Sequence, residues 1–227
     1  AQNEMQRQSA LRLNRLVANG TGTLEIKSGY GLDPENELKM LRTIKALNEA
    51  SHATLVPTFL AAHALPSWAQ TKGMNDATYT KHMLEACLPT IQAEGLAQFL
   101  DGFIERDYFK LGALEHLIEA SVANDLPLKL HVDQFYDNGG IQMAFQAGAV
   151  IVGHLEVMTS AALKSLHGSA TIATLLPSCS YFLGIPYAPA RQLIEEDTLV
   201  ALATDYNPGS SPGVNSLFVG NMGCSEL

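Results

Sequence analysis

Leu128-Lys-Leu-His-Val-Asp-Gln-Phe135 is an apolar run that ends in an imidazole, a carboxylate and an amide. A buried strand that finishes in a clustered polar tip is how α/β barrels and doubly wound sheets present their chemistry, at the carboxyl ends of the strands. His131 is therefore the first candidate for a metal ligand or a base.

The same strand-then-helix pattern extends in both directions from this stretch. Residues 1 to 19 read as an amphipathic helix stopped by Gly20, and Thr23 to Ser28 as a strand followed by the glycine-bracketed turn Gly29-Tyr-Gly31. Asp33 and Pro34 open the next helix as N-cap and first-turn residues, with Met40, Leu41, Ile44 and Leu47 as its buried stripe. Thr54 to Leu60 is a second strand leading to His63, followed by a helix over 76 to 92 that Pro89 is expected to kink. Phe99 to Glu105 is the third strand, with a helix around Leu114, Leu117 and Ile118, and Pro127 to Gln134 is the fourth, with a helix through Met143 to Phe145. Val150 to Glu156 is the fifth with a helix over 160 to 166, Thr171 to Pro177 the sixth with a helix near Arg191 to Ile194, and Leu199 to Asp205 the seventh.

Strands that are continuously apolar and alternate with helices belong to a parallel sheet covered on both faces. No GxGxxG follows the first strand, and polar residues sit at nearly every strand tip instead of at one switch point. Both features favour an α/β barrel of the (β/α)8 TIM type over an open doubly wound sheet. Seven strands is one short of eight, so a closed barrel needs one strand from outside this chain.

Composition narrows the partners. The 227 residues with 47% hydrophobic content support one domain over 1–227 with a sizeable core. With 14 basic against 23 acidic residues the net charge is -9, which argues against nucleic acid or an anionic membrane as partner. No apolar run approaches the roughly 18 residues of a membrane span, and Ala1-Gln-Asn-Glu4 lacks the features of a signal peptide. Cys87, Cys179 and Cys224 are odd in number and lack CxxC spacing, which points to a reducing, cytoplasmic setting. The chain begins at Ala1 without an initiator methionine and ends at Leu227 with no evident closing element, so it reads as a fragment.

The strand tips translate into chemistry: Lys27 and Tyr30, His63, Glu105, His131 with Asp133 and Gln134, His154 with Glu156, and Asp205 with Asn207. Two histidines and an aspartate from separate strands could hold a divalent metal with a position open for water, whose pKa would fall toward ~7. Each residue also has a structural reading. A lone strand-end histidine is commonly just hydrogen-bonded, and Asp205 to Gly209 has the composition of an Asx turn. Tyr30 could be loop packing, Asp133 an ion-pair or supporting group, and Lys27 solvated; His52, His82, His116 and His167 read as surface residues.

Several segments resemble the imidazolonepropionase family of the metal-dependent amidohydrolase superfamily. They are Glu25-Ile-Lys-Ser-Gly-Tyr-Gly-Leu32, Leu38-Lys-Met-Leu-Arg42, Ala61-Ala-His-Ala-Leu-Pro66, His131-Val-Asp-Gln134 with Gly139-Gly140, His154-Leu-Glu156, Leu175-Leu-Pro177 with Tyr181-Phe-Leu183, and Ala203-Thr-Asp-Tyr-Asn-Pro-Gly209. The resemblance runs in order over nearly the whole chain.

What it implies is specific. His131 and Asp205 would be two ligands of a single zinc or iron ion, and Tyr30, His63, Gln134 and Ser210 would line the imidazolone site, with Asn207, Gly209 and Tyr30 holding the product. His154 would polarise or transfer a proton beside the metal. Family members carry Glu or Gln at Gln134; because Gln cannot be a base, that role shifts to His154 or Asp205. The implied reaction is hydrolytic opening of 4-imidazolone-5-propanoate to N-formimino-L-glutamate, in a protein that usually dimerises. The chain departs from the family in lacking a His-x-His pair, the upstream substrate-binding Arg and the small β-domain, and in carrying Phe103-Ile-Glu-Arg106 for Phe-Cys-Glu. It would then hold barrel strands two to eight. Another cyclic-amide amidohydrolase, a deaminase, and an inactive fragment remain as alternatives.

Overall fold

The computed structural model describes residues 2–227. Seven strands, β1 (Thr23–Lys27), β2 (Thr54–Ala62), β3 (Phe99–Ile104), β4 (Leu128–Val132), β5 (Ile151–His154), β6 (Ile172–Leu175) and β7 (Leu199–Leu202), form one sheet in sequence order. Every neighbouring pair is parallel. The helices are α1 (Gln2–Ala18), α2 (Pro34–Ala50), α3 (Ser67–Thr71), α4 (Asp76–Glu94), α5 (Leu111–Asn124), α6 (Gly140–Gln146), α7 (Ser160–Ser165), α8 (Pro177–Leu183), α9 (Ala190–Glu195) and α10 (Ser216–Glu226).

Local chemistry accounts for most boundaries. Asp33 accepts from the Asn36 N–H at 2.9 Å at the start of α2, where Pro34 occupies the first turn and loses no bond. Asn75 and Thr78 form a reciprocal capping box on α4, which ends at left-handed Gly95. The helix continues through Pro89, because Leu88 and Ile91 beside it are buried against the sheet and tertiary packing outweighs one missing backbone bond.

Three helices were not expected. α3 and α8 are short, and α10 closes the chain where no closing element was read. In α10, Val219 and Met222 are buried while Leu217 and Phe218 are exposed, so its apolar residues do not make the single stripe that signals a helix. Several strands also stop earlier than expected. Backbone φ turns positive at Asp133 (52°), His154 (80°), Leu155 (71°) and Asp205 (50°), and a left-handed residue takes the chain out of the ladder. Asp133, Gln134 and Asp205 consequently sit in loops above the sheet, while His131 and His154 remain in the last residues of β4 and β5.

Strand alternation places a charged lattice inside the curl. Lys27 donates to Asp101 at 2.6 Å and to Glu25 at 2.8 Å, Lys129 reaches Glu25 at 3.0 Å, and Thr58 donates to Glu25 at 2.6 Å. Four strands are thereby cross-linked by groups that would be costly if left unpaired. Lys27, expected as a solvated side chain, is instead three-quarters buried in this lattice, because its position two residues after Glu25 puts both on the inner face. On the outer side, Gly102 lets α5 approach: a Cβ there would overlap the fully buried Leu117. Gly102→Ala is expected to lower the unfolding free energy by about 1–3 kcal/mol, measured by urea denaturation, through overpacking alone.

Among the described residues, neither β1 nor β7 pairs with a second strand. β7 is the more open edge, with Leu199 at 56% and Leu202 at 41% exposure. A cavity of about 1370 Å³ runs from the carboxyl-end mouth down to the gap between these edges, bounded there by Leu24, Ile26, Ile44 and Leu202. No described helix is long and apolar enough to cross a membrane.

Candidate active site

The mouth of the cavity collects the polar tips. His131 ends the inner face of β4, and its Nδ1 lies 3.1 Å from Asp101 Oδ1. Asp101 is fully buried. Burial opposes its ionisation, but contacts with His131 and Lys27 outweigh that and hold the carboxyl below the usual range. An ionised Asp101 accepts the Nδ1 proton, which leaves Nε2 of His131 as the nitrogen available to the cavity.

His154 sits across from it at the end of β5, with ring centroids 5.5 Å apart and Phe103 about equally far from both, at 6.2 and 6.3 Å. Its Nδ1 is 3.5 Å from Glu156 Oε1, which also accepts from the Ser180 hydroxyl at 3.1 Å. Burial alone would lower the pKa of His154; contacts with Cys179 and Glu156 and the field of Asp205 raise it instead, to about 10. The direction of this shift favours the protonated ring. The consecutive positive φ angles at His154 and Leu155 mark a strained corner of the kind concentrated at functional sites. Gln134 is buried next to this pair and donates to the Cys179 thiol at 3.3 Å.

On the β1 side, Tyr30 stands half exposed against His63, with centroids 4.7 Å apart, and His63 Nδ1 is 2.7 Å from the Gly29 carbonyl. Burial, foremost among several influences, lowers the His63 pKa, the opposite direction to His154. Burial, and then the charge of Asp205, raise the Tyr30 pKa, which ties the first strand's loop to the last strand's. There Asn207 donates to the Asp205 carbonyl at 2.7 Å, to Asp205 Oδ2 at 3.1 Å and to Ser210 Oγ at 3.0 Å. Its own Oδ1 accepts from the N–H groups of Gly209 and Ser210 at 2.8 and 2.7 Å. The Asx-turn reading therefore holds for this loop, and the turn presents Asp205 to the cavity.

All nine residues singled out from the sequence line one cavity: Tyr30, His63 and His131, then Gln134, His154 and Asp205, and finally Asn207, Gly209 and Ser210. Other expectations fare differently. Glu105 is a loop clamp, accepting from the backbone of Phe135 at 2.8 Å and Arg106 at 3.0 Å. Asp133 is fully buried, and neither carboxylate oxygen has a hydrogen-bond partner among the described residues, so it is not an ion-pair member. Burial, reinforced by Asp137 and Glu105, pushes its pKa up to about 7, with only the backbone of Asn138 acting the other way. His82, expected at the surface, is partly buried on the edge of Trp68. Asp101 was overlooked, although a carboxylate inside Phe99-Leu-Asp-Gly-Phe-Ile104 is itself a signal, since a charge in an apolar strand must find partners.

The donor set can be tested against a metal ion. An imidazole with one nitrogen already on a carboxylate, in a cavity that Asp205 also lines, is suitable chemistry for zinc or iron. Among the described residues, however, no group of three His, Cys, Asp or Glu is placed to hold an ion. His131 and Asp205 have the chemistry of ligands for such an ion, and two donors are fewer than a complete shell needs.

A parallel curled sheet with its polar residues gathered at the carboxyl mouth defines part of an α/β barrel. Solved structures agree: guanine deaminase from C. acetobutylicum with bound guanine superposes with a TM-score of 0.77 at 10% identity, over 100% of this chain and 56% of that one. An adenosine deaminase from Xanthomonas campestris with bound zinc gives 0.70 at 13% identity, over 99% of this chain and 51% of its own. No family model matches the chain. By sequence the chain belongs to the imidazolonepropionase family. It is 43% identical over all 227 residues to the imidazolonepropionase of Flavobacterium johnsoniae and 40% identical to that of Rubrobacter xylanophilus. It spans about half of these curated relatives, 54% and 53% of their lengths.

Proposed function

We propose that this chain is the part of an imidazolonepropionase that carries barrel strands two to eight, in a hydrolase that opens 4-imidazolone-5-propanoate to N-formimino-L-glutamate in histidine degradation. The observation that carries this reading is the convergence of Tyr30, His63, His131, His154, Asp205 and Asn207 on one cavity in a chain 40–43% identical throughout to that family. The free edges of β1 and β7 suit a first strand between them, bearing the two remaining ligands. The cavity of about 1370 Å³ exceeds the ~300–1,000 Å³ of ordinary ligand pockets, as expected where a strand is still to be added.

A bound zinc or iron ion would activate water and polarise the substrate carbonyl. The chain's own residues supply the rest. Tyr30 and neutral His63 form the wall for the flat imidazolone ring. Asp205, with Oδ2 held by Asn207, keeps Oδ1 free to accept a proton from the attacking water. Charged His154 stabilises the oxyanion that develops on the carbonyl, and a proton passes to the leaving ring nitrogen. Gln134 orients groups by hydrogen bonding and takes no proton. In this reading the partner is a small molecule and not nucleic acid or membrane, the setting is cytoplasmic, a homodimer is the proposed assembly, and the described residues form one part-barrel domain.

A deaminase or cyclic-imide hydrolase on the same scaffold is the second reading, favoured by the guanine and adenosine deaminases among the structural neighbours. A substrate panel on protein extended to the full length of its relatives separates them. Turnover of imidazolone propionate with none of guanine or hydantoin is the expected outcome; guanine turnover alone would overturn the first reading. The 227-residue chain itself, dialysed, is expected to retain well under one metal ion per molecule.

A further inference from the structure

The turn that carries Tyr30 is held by groups outside the site described above. Glu37, in the first turn of α2 and 1% exposed, accepts three backbone N–H groups: Gly29 at 2.6 Å, Gly31 at 2.6 Å and Leu32 at 2.9 Å. The carbonyls of the same turn are also taken, Gly29 by His63 Nδ1 at 2.7 Å and Leu32 by the indole N–H of Trp68 at 3.1 Å. Gly29 and Leu32 both adopt positive φ, 100° and 58°, and a Cβ on Gly31 would lie 2.7 Å from the Asn36 carbonyl carbon. Three amides converging on one buried carboxylate are the kind of charge-assisted arrangement that fixes a turn in a single conformation.

We propose that Glu37 is a positioning residue, whose carboxylate locks the Gly29–Leu32 turn so that Tyr30 and His63 form a preorganised wall for the substrate ring. The step from Glu37 to the wall is short: Gly29 gives its N–H to Glu37 and takes the His63 ring on its carbonyl, so one residue joins the two. Releasing the carboxylate leaves three buried N–H groups without their acceptor and a turn free to leave an unfavourable backbone region. Binding then requires reordering the turn for each substrate molecule, which weakens affinity without touching the reacting groups. The proposal rests on the reading that Tyr30 and His63 contact substrate.

Trp68 is the only tryptophan, and its indole N–H reports on this turn. The test compares Glu37→Gln, which keeps one acceptor oxygen and shape, and Glu37→Ala with the wild type, all in full-length protein. Expected for both are a KM for imidazolone propionate raised about tenfold or more, kcat within about threefold, and a red-shifted Trp68 emission with unchanged far-ultraviolet dichroism. Wild-type KM and emission in Glu37→Gln and Glu37→Ala overturn the proposal, as does a fall in kcat at constant KM. If both variants unfold, Trp68→Phe removes only the Leu32 tether: a raised KM supports the preorganised turn and an unchanged KM overturns it. Absence of wild-type turnover with an emission shift still present in Glu37→Gln refutes the functional reading and keeps the clamp.

Discussion

Full-length protein carrying His131→Ala is expected to lose at least ~10³-fold in turnover and to bind markedly less zinc or iron. The imidazole is one of the two ligands proposed for this chain, and its Nδ1 lies on Asp101, so Nε2 is the nitrogen left for an ion. Lewis-acid and nucleophile-generating effects amount to several kcal/mol, and each 1.36 kcal/mol is a factor of ten in rate. Steady-state kinetics with elemental analysis of the purified variant check this. His52→Ala, an exposed site remote from the cavity, serves as the control and stays at wild-type activity. Full metal content with turnover within about threefold of wild type in His131→Ala would remove His131 from the ligand set.

The second large effect is on stability. Glu25→Gln is expected to lower the unfolding free energy at pH 7 by about 2–4 kcal/mol, because it strips Lys129 of its only carboxylate and Lys27 of one of two. Lys129 is then left with only the face of Phe99, 3.8 Å away. The 29% exposure of the Glu25 side chain argues for the lower end of that range. Burial works against ionisation of Glu25, but the charge of Lys27, with Lys129 adding, more than compensates and lowers its pKa. A carboxyl with a lowered folded pKa contributes stability above its ordinary value near ~4.3, and that contribution disappears as pH falls through the folded value. The gap between variant and wild type is therefore widest at neutral pH and closes in acid. Urea midpoints at pH 7 and below pH 4 measure it; equal midpoints at pH 7 would show that the lattice contributes nothing net.

The strands were legible because parallel strands buried on both faces leave largely apolar runs, as in Phe59 to Ala62. Helices with clear caps, such as Asp33 before α2, were legible for the same kind of reason. α8 and α10 were not, since each is short or lacks one apolar stripe and is held by what it packs against. Glu37 was hidden for a different reason. An acid in the first turn of a helix is favoured by the dipole alone, so nothing in Pro34-Glu-Asn-Glu37 distinguishes a solvated glutamate from one that holds three amides.

By itself, the amino-acid sequence determined the parallel strand-helix alternation, the polar tips and the family, since periodicity and motif are properties of short stretches. Only the tertiary structure decided that Asp101 holds His131, that Lys27 belongs to an interior charge lattice, that the surroundings push the His154 pKa up and the His63 pKa down, and that Glu37 holds the Tyr30 turn. The Lys27–Asp101 and Asp101–His131 contacts join residues 74 and 30 apart in sequence and depend on strand register, and the Glu37 contacts, though only 5 to 8 apart, depend on how the turn folds back over α2. Local propensity encodes neither, because a partner's position and the water it displaces are set by the whole sheet.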